Sequence, residues 1–203
     1  MANQNIGLFF GTFNPIHVGH LILANFMAQL PEIDEVWFVV TPRNPFKSKE
    51  TLLDDIHRLA LVREAVEGNM RLKASNIEFG MPQPNYTVDT LAFLSEKYPE
   101  KNFTLIMGED NLRGFHKWKN YEVILQYYHI LVYPRVYTQN EQVEQSETTK
   151  ELLRHSHVKM VDAPLMKISS SMIREMIAEG KDVQYILSPE VFKYVDEMNF
   201  YKK

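Results

Sequence analysis

Two histidines three residues apart, and a run of serines followed by an arginine, are the parts of this sequence best suited to chemistry. His17 and His20 lie in GTFNPIHVGH, just after an apolar run that stops at Gly11. At positions i and i+3 they share one side of a first helical turn, where orphan backbone N–H groups and the positive end of the helix dipole favour an anion. Gly19, between them, lets a ligand or a neighbouring chain come close to the backbone. Taken alone, the pair is more simply a helix start that happens to carry two histidines. A zinc site is weaker still, because the chain has no cysteine and no nearby His/Glu pattern supplies a third ligand. The distal stretch KISSSMIREM changes the balance. Ser169, Ser170 and Ser171 open another helix, with Arg174 within about its first turn, so hydroxyls, N–H groups and a guanidinium together suit a polyanion. Capping alone explains three serines, but two anion-suited helix starts at opposite ends of one chain are much less common.

Those residues need elements to hold them. Residues 6–10 (IGLFF), closed by Gly11, read as a buried strand, and so do 36–40 (VWFVV), 103–107 (FTLIM), closed by Gly108, and His129–Tyr133 (HILVY). A third strand is predicted within 70–79 and a weak last one over 158–161. Helices are predicted over 18–30, over 52–67 with Thr51 and Asp54 as a capping box, and over 88–98. Others follow over Tyr121–Tyr127, over the polar 139–155 and over 170–179, and the last has Ser188 as N-cap and Pro189 at its first position. Strands alternate with helices, and the strands are continuously apolar. Both features predict an α/β fold, a doubly wound parallel sheet with helices on both faces. Ligands of such sheets bind beyond the carboxyl ends of the strands, at the topological switch point. Gly11, residues 41–47, 108–110 and 169–174 can therefore converge on one rim.

The bulk numbers bound the function. With 203 residues the chain fits one domain, residues 1–203, and can bury a sizeable core. A net charge of −4 argues against non-specific nucleic-acid binding but leaves room for a small anion held by local donors. The absence of cysteine excludes disulfides and thiol chemistry. No signal-peptide pattern and no apolar run of membrane-spanning length is present, so a cytoplasmic protein is expected. No pattern specifies an oligomeric state. His57, His116, His129, His155 and His157 form no constellation.

GTFNPIHVGH together with ISSSMIR resembles the nucleotidylyltransferase superfamily, with its T/H-x-G-H motif and distal I-S-S-T-x-x-R motif, in order along nearly the whole chain. PNYTVDTL, IMGEDNLRGFHKW and TPRNPFK further resemble the nicotinate mononucleotide adenylyltransferases. The resemblance implies a Rossmann-like fold whose helices over about 168–203 complete an ATP site. It implies transfer of AMP from ATP to a pyridine mononucleotide, giving the deamido form of NAD and pyrophosphate, with Mg²⁺ brought by ATP. By that resemblance His17 and His20 contact the α- and β-phosphates, while Ser169, Ser170, Ser171 and Arg174 grip the triphosphate. Gly11, Thr12 and Phe13 lie along the nucleotide, and Gly108 and Asp110 hold the adenosine ribose. On the acceptor side Lys47 suits the mononucleotide phosphate, Tyr86 and Thr87 read the pyridine carboxylate, and Trp118 stacks on the ring. Trp118 is almost equally well explained as a partly buried anchor, and Lys47 as a solvated lysine beside Lys49. The first motif usually reads F-D-P; here Asn14 keeps the hydrogen bonds of a turn but not the charge. The alternatives are an adenylyltransferase for nicotinamide mononucleotide or phosphopantetheine, or a nucleotide sensor without turnover.

The chemistry suits the residues. A nucleotide 5′-phosphate has a second pKa of about 6, as phosphorylated side chains do, so it is mostly dianionic near neutral pH and needs no general base. What the reaction lacks is charge stabilisation at the ATP α-phosphorus and on the leaving pyrophosphate, which positioned donors supply.

Overall fold

The apolar runs become six parallel strands. The computed structural model describes residues 3–42, 52–135 and 147–202. In it β1 (Gln4–Gly11), β2 (Glu35–Val40), β3 (Leu72–Ser75), β4 (Lys101–Gly108), β5 (His129–Tyr133) and β6 (Val158–Met160) lie in the order β3-β2-β1-β4-β5-β6. Every pairing is parallel, and Leu8 on β1 faces Trp37 on β2 and Leu105 on β4 across the ladder. The chain starts at the centre, winds out to β3, returns to β4 and winds out the other way. The switch point is therefore the crevice between β1 and β4.

Eight helices cover the sheet among the described residues: α1 (Val18–Met27), α2 (Asp55–Val66), α3 (Thr87–Lys97), α4 (Glu109–Gly114), α5 (Tyr121–Tyr127), α6 (Glu147–Arg154), α7 (Ser170–Ala178) and α8 (Pro189–Glu197). Successive strand side chains point to opposite faces. Phe9, Val36, Phe38, Ile106 and Leu131 pack with α1, α2, α7 and α8 on one face. Ile6, Leu8, Val39, Leu105, Met107, Ile130 and Val132 pack with α3, α4, α5 and α6 on the other. Because both faces are buried, both sets are apolar, which is why the strands read as unbroken runs. On α7 the predicted stripe faces inward, with Ile173 and Ile177 buried and Met172 and Met176 at the margin.

The differences from the predicted elements have local causes. The third strand is only Leu72–Ser75, and Ile77–Gly80 forms a 3-10 turn. Ser75 already pairs with Val39, one residue from the end of β2, so the edge strand runs out of ladder. Asp54 is itself the N-cap of α2 rather than its third residue, so it cannot close a capping box from within the helix; Thr51 lies outside the described residues. Of the helix predicted over 139–155, the described part is α6. The short α4 and the 3-10 turn Phe115–Lys117 were not expected. No helix among the described residues is long and apolar enough to cross a membrane.

One charged side chain organises the rim. Arg58, on α2, is fully buried, with 0% exposure. Its Nη1 donates to the carbonyls of Thr12 (2.7 Å) and Thr41 (2.9 Å), its Nη2 to that of Pro42 (3.0 Å) and its Nε to that of Leu53 (3.0 Å). Nη2 also pairs with Asp55. A planar fork with five donors can reach the loop after β1, the loop after β2 and the start of α2 at once; a lysine cannot. Arg58→Met should therefore lower unfolding stability by about 1–3 kcal/mol, because it leaves partly buried carbonyls without their donor, and Arg58→Lys should recover little of it. Urea unfolding of the three proteins checks this, and unchanged midpoints would remove Arg58 from the framework.

Candidate active site

The two histidines stand where β1 hands over to α1, but they do not act alike. His17 is the N-cap of α1, in extended backbone, and His20 is the third residue of the helix. Their rings stack 3.7 Å apart at 25°. The His17 backbone N–H donates to His20 Nδ1 (3.3 Å), which leaves Nε2 of His20 to carry the proton. The rings of Phe9 and Phe13 pack edge-on against His20, at 6.0 and 5.2 Å. His17 is 4% exposed, and its Nδ1 has no hydrogen-bond partner among the described residues. Burial pushes its pKa down from 6.5 to about 4, so near neutral pH it is uncharged. Gly19 does not leave the opening expected of it. A side chain there would meet the His17 ring at 3.1 Å, so the glycine makes room for the neighbouring imidazole. The backbone of this helix start is also partly engaged. Val18 N–H goes to the carbonyl of Ile186 (3.2 Å) and His20 N–H to that of His17 (2.9 Å), so these two N–H groups are already bound within the protein.

The serine helix docks onto the same loop. Ser170 Oγ donates to the Pro15 carbonyl (2.9 Å), and Arg174 Nη1 donates to the Asn14 carbonyl (2.8 Å). Residues 155 and 160 positions apart in the chain are thereby joined within three residues of His17. Ser169 caps α7 by accepting from Met172 N–H (3.2 Å), and Ser171 Oγ receives Arg174 Nη2 (3.2 Å). The three serines thus divide the work: one caps, one tethers and one orients the guanidinium. Phe13 has a positive φ of 46° and a buried ring wedged against Phe9, Phe38 and His20, so it offers a nucleotide its main chain rather than its side chain. Gly11 ends β1 at this crevice, and its carbonyl accepts from Thr41 N–H (2.9 Å), while the Thr12 carbonyl is held by Arg58.

Across the crevice, Gly108 ends β4 and caps α4. A side chain on Gly108 would collide with the Asp110 carboxylate and meet the Tyr133 ring at 3.2 Å; the glycine lets that carboxylate lie against the backbone. Asp110 pairs with Arg135 at 2.7 Å, on the surface. Among the described residues no three of His, Asp and Glu gather as a metal cage.

On the other side of β4, Tyr86 is the N-cap of α3 and Thr87 its first residue. Tyr86 is exposed, with Lys119 Nζ 4.6 Å from its ring centre. Asp89, whose charge in this first turn would repel an anion, faces outward and pairs with Lys119 at 2.9 Å. Beneath them Glu78 is buried and accepts from Thr90 Oγ1 (2.7 Å), and burial raises its pKa. Trp118 is half-buried and packs edge-on against Phe115 at 5.3 Å. Lys47 lies outside the described residues.

Four residues of this neighbourhood gave no signal in sequence: Arg58, Glu78, Arg135 and Tyr201, whose hydroxyl donates to Asn14 Oδ1 at 2.7 Å. Each is a lone polar residue inside an ordinary pattern. A cavity of about 700 Å³ lies at the opposite end of the sheet, by the amino ends of the strands, lined in part by Lys101, His129, His157 and Lys159. Its lysines already pair with Gln4 and Glu32, and no chemistry-bearing motif reaches it.

The description "Cytidylyltransferase-like" belongs to the family model that matches residues 8–176. Two relatives named probable nicotinate-nucleotide adenylyltransferase, from Christiangramia forsetii and Flavobacterium johnsoniae, are each 54% identical over 200 residues, covering 98% of this chain and all of theirs. A solved structure, the Plasmodium falciparum nicotinic acid mononucleotide adenylyltransferase complexed with NaAD, has a TM-score of 0.79 at 20% identity, over 98% of this chain and 97% of that one, and so shares the fold. With the family model covering the sheet from β1 through α7, and full-length relatives above half identity, the chain belongs to the cytidylyltransferase-like family and, within it, to the nicotinate-nucleotide adenylyltransferases.

Proposed function

We propose that this chain transfers the AMP moiety of ATP to nicotinate mononucleotide, giving deamido-NAD and pyrophosphate, in the cytoplasm. The observation that carries the reading is the junction of the histidine helix and the serine–arginine helix on one loop, Asn14–Pro15, beside the switch point. The relatives' names supply the acceptor. A phosphate oxygen of the mononucleotide attacks the α-phosphorus of ATP. The bond from that phosphorus to the bridging oxygen of the β-phosphate breaks, and the electron pair leaves with pyrophosphate. The attacking dianion needs no base, so the protein's work is positioning and charge stabilisation. His20, with Nε2 as donor, faces the charge that grows in the transition state. Arg174 already contacts phosphate in the ground state. Asp110 accepts from the adenosine ribose once it turns from Arg135. Mg²⁺ arrives with ATP, since magnesium keeps several waters and binds mainly through substrate phosphates.

The acid mononucleotide differs from the amide by one charge. The first N–H groups of α3 and the Thr87 hydroxyl favour that charge, and Asp89 is turned away and neutralised by Lys119.

His20→Ala should lower kcat about a hundredfold with a small change in ATP affinity, the cost of one oxyanion-type donor, whereas Arg174→Ala should damage both. Pyrophosphate release with ATP and a panel of acceptors measures this and separates the alternatives; a His20 variant impaired only in ATP binding would contradict the role. Thr87→Ala should narrow the acid-over-amide ratio of kcat/KM, and Trp118→Ala should weaken both acceptors together. A wild-type ratio favouring the amide sinks the nicotinate assignment.

The buried histidine also links stability to pH. With a folded pKa of about 4 against 6.5 unfolded, the unfolded chain binds more protons between those values. The stabilisation is complete above pH 6.5 and is lost as the pH falls towards 4, at most about 3 kcal/mol. Urea midpoints measured from pH 7 to 4 should fall less steeply for His17→Gln than for the wild type, and parallel curves would show that His17 does not titrate this way.

A further inference from the structure

Beyond α8 the chain folds back onto the loop that carries the histidines. It does so through two non-glycine residues at positive φ, Asn199 (53°) and Tyr201 (65°), a conformation that has to be held by its surroundings. Phe200 supplies one hold, its ring 4.9 Å from His57 of α2 and its N–H on the Val195 carbonyl at 3.0 Å. Tyr201 supplies the other: its hydroxyl donates to Asn14 Oδ1 at 2.7 Å, and Leu53 N–H donates to the same oxygen at 3.2 Å. Two donors on one oxygen fix which end of the carboxamide faces them, a choice that a carboxylate would not present. The guanidiniums of Arg174 and Arg58 act on Tyr201 electrostatically, yet burial keeps the phenol protonated and hence a donor. The main-chain carbonyl of the same Asn14 receives Arg174 Nη1 at 2.8 Å.

We propose that Tyr201 is a positioning residue for adenylyl transfer: acting through Asn14, its hydroxyl sets the Arg174 guanidinium in the phosphate site. The inference rests on the reading that Arg174 holds phosphate. Asn14, in place of a carboxylate, has no charge with which to hold the guanidinium, so the geometry of its carbonyl depends on how firmly the residue is pinned. Tyr201 and Leu53 pin its side chain from one side, and Arg174 reports the result.

The test is Tyr201→Phe, which keeps the ring and its packing. Its kcat should fall about tenfold and its ATP affinity by calorimetry about threefold, the scale of one hydrogen bond, with KM for nicotinate mononucleotide unchanged. In an Arg174→Ala background the same change should cost nothing more, because the residue through which it acts is gone. In an Asn14→Asp background the loss should shrink, since a carboxylate holds the arginine by charge. Wild-type kinetics for Tyr201→Phe, a lowered melting temperature without a kinetic change, or an equal loss in the Arg174→Ala background each overturn the proposal. If the wild type binds ATP but does not use nicotinate mononucleotide, the acceptor reading fails by itself, and the effect of Tyr201 is still decided by ATP affinity.

Discussion

A guanidinium with no exposure must have every donor met, and each group that meets Arg58 borders the site. The carbonyls of Thr12, Thr41, Pro42 and Leu53 belong to the loop after β1, the loop after β2 and the start of α2. Leaving such a charge unpaired costs several kcal/mol, which exceeds what small movements of those loops could return. The backbone segments at Thr12, at Thr41 and Pro42, and at Leu53 are therefore held in one relative arrangement. That arrangement places Leu53 N–H on Asn14 and the Gly11 carbonyl on Thr41, so the carboxyl end of the sheet is a fixed rim rather than a set of independent turns.

On that rim the candidate site is assembled from two distant pieces of chain. Neither helix start is sufficient. The first has most of its leading N–H groups bound elsewhere, and the second uses Ser169 and Ser170 for capping and tethering. On the proposed reading the working donors are His20 Nε2 and the Arg174 guanidinium, the latter held by the Asn14 carbonyl and the Ser171 hydroxyl. This is the form that electrostatic catalysis requires. Donors that need not reorganise when charge develops are worth more than donors that must be turned into place.

Much of this was legible in the sequence, and the limit of legibility has a physical cause. Continuous apolar runs announced a sheet buried on both faces, and glycines at the ends of β1 and β4 marked the crevice. The two motifs, on α1 and α7, meet at the Asn14–Pro15 loop, through Ser170 and Arg174. The registers that bring them there are set by long-range contacts, which local patterns do not encode. Arg58 sits in a helix beside buried Leu59, Leu61 and Val62 and shares it with Arg63, so in sequence it looks like a solvated arginine. Tyr201 follows the last helix, where a tyrosine is unremarkable until the fold carries it back to Asn14. Gly19 was legible as a close approach, but the group that approaches is His17 itself. Edge strand β3 stopped early because its partner did, a fact that belongs to β2.

The charge of the site follows from the same burial. His17 is neutral near neutral pH because its ring is buried against His20 and Gly19. A triphosphate would change that balance, since negative charge within a few ångströms favours protonation by the same rule that burial opposes it. Positive charge therefore need not be stored in the free protein at the cost of repulsion between stacked imidazoles. Arg174 provides the permanent cation at the edge of the site, with its guanidinium on the Asn14 carbonyl and the Ser171 hydroxyl. On the proposed reading His20 supplies a hydrogen bond whose strength grows with the negative charge set before it. A permanent charge binds the ground state and the transition state alike, whereas a donor that responds to developing charge discriminates between them. On the proposed reading, Arg174 as a fixed cation holds the nucleotide, and His20, stacked on the buried and neutral His17, accelerates its transfer.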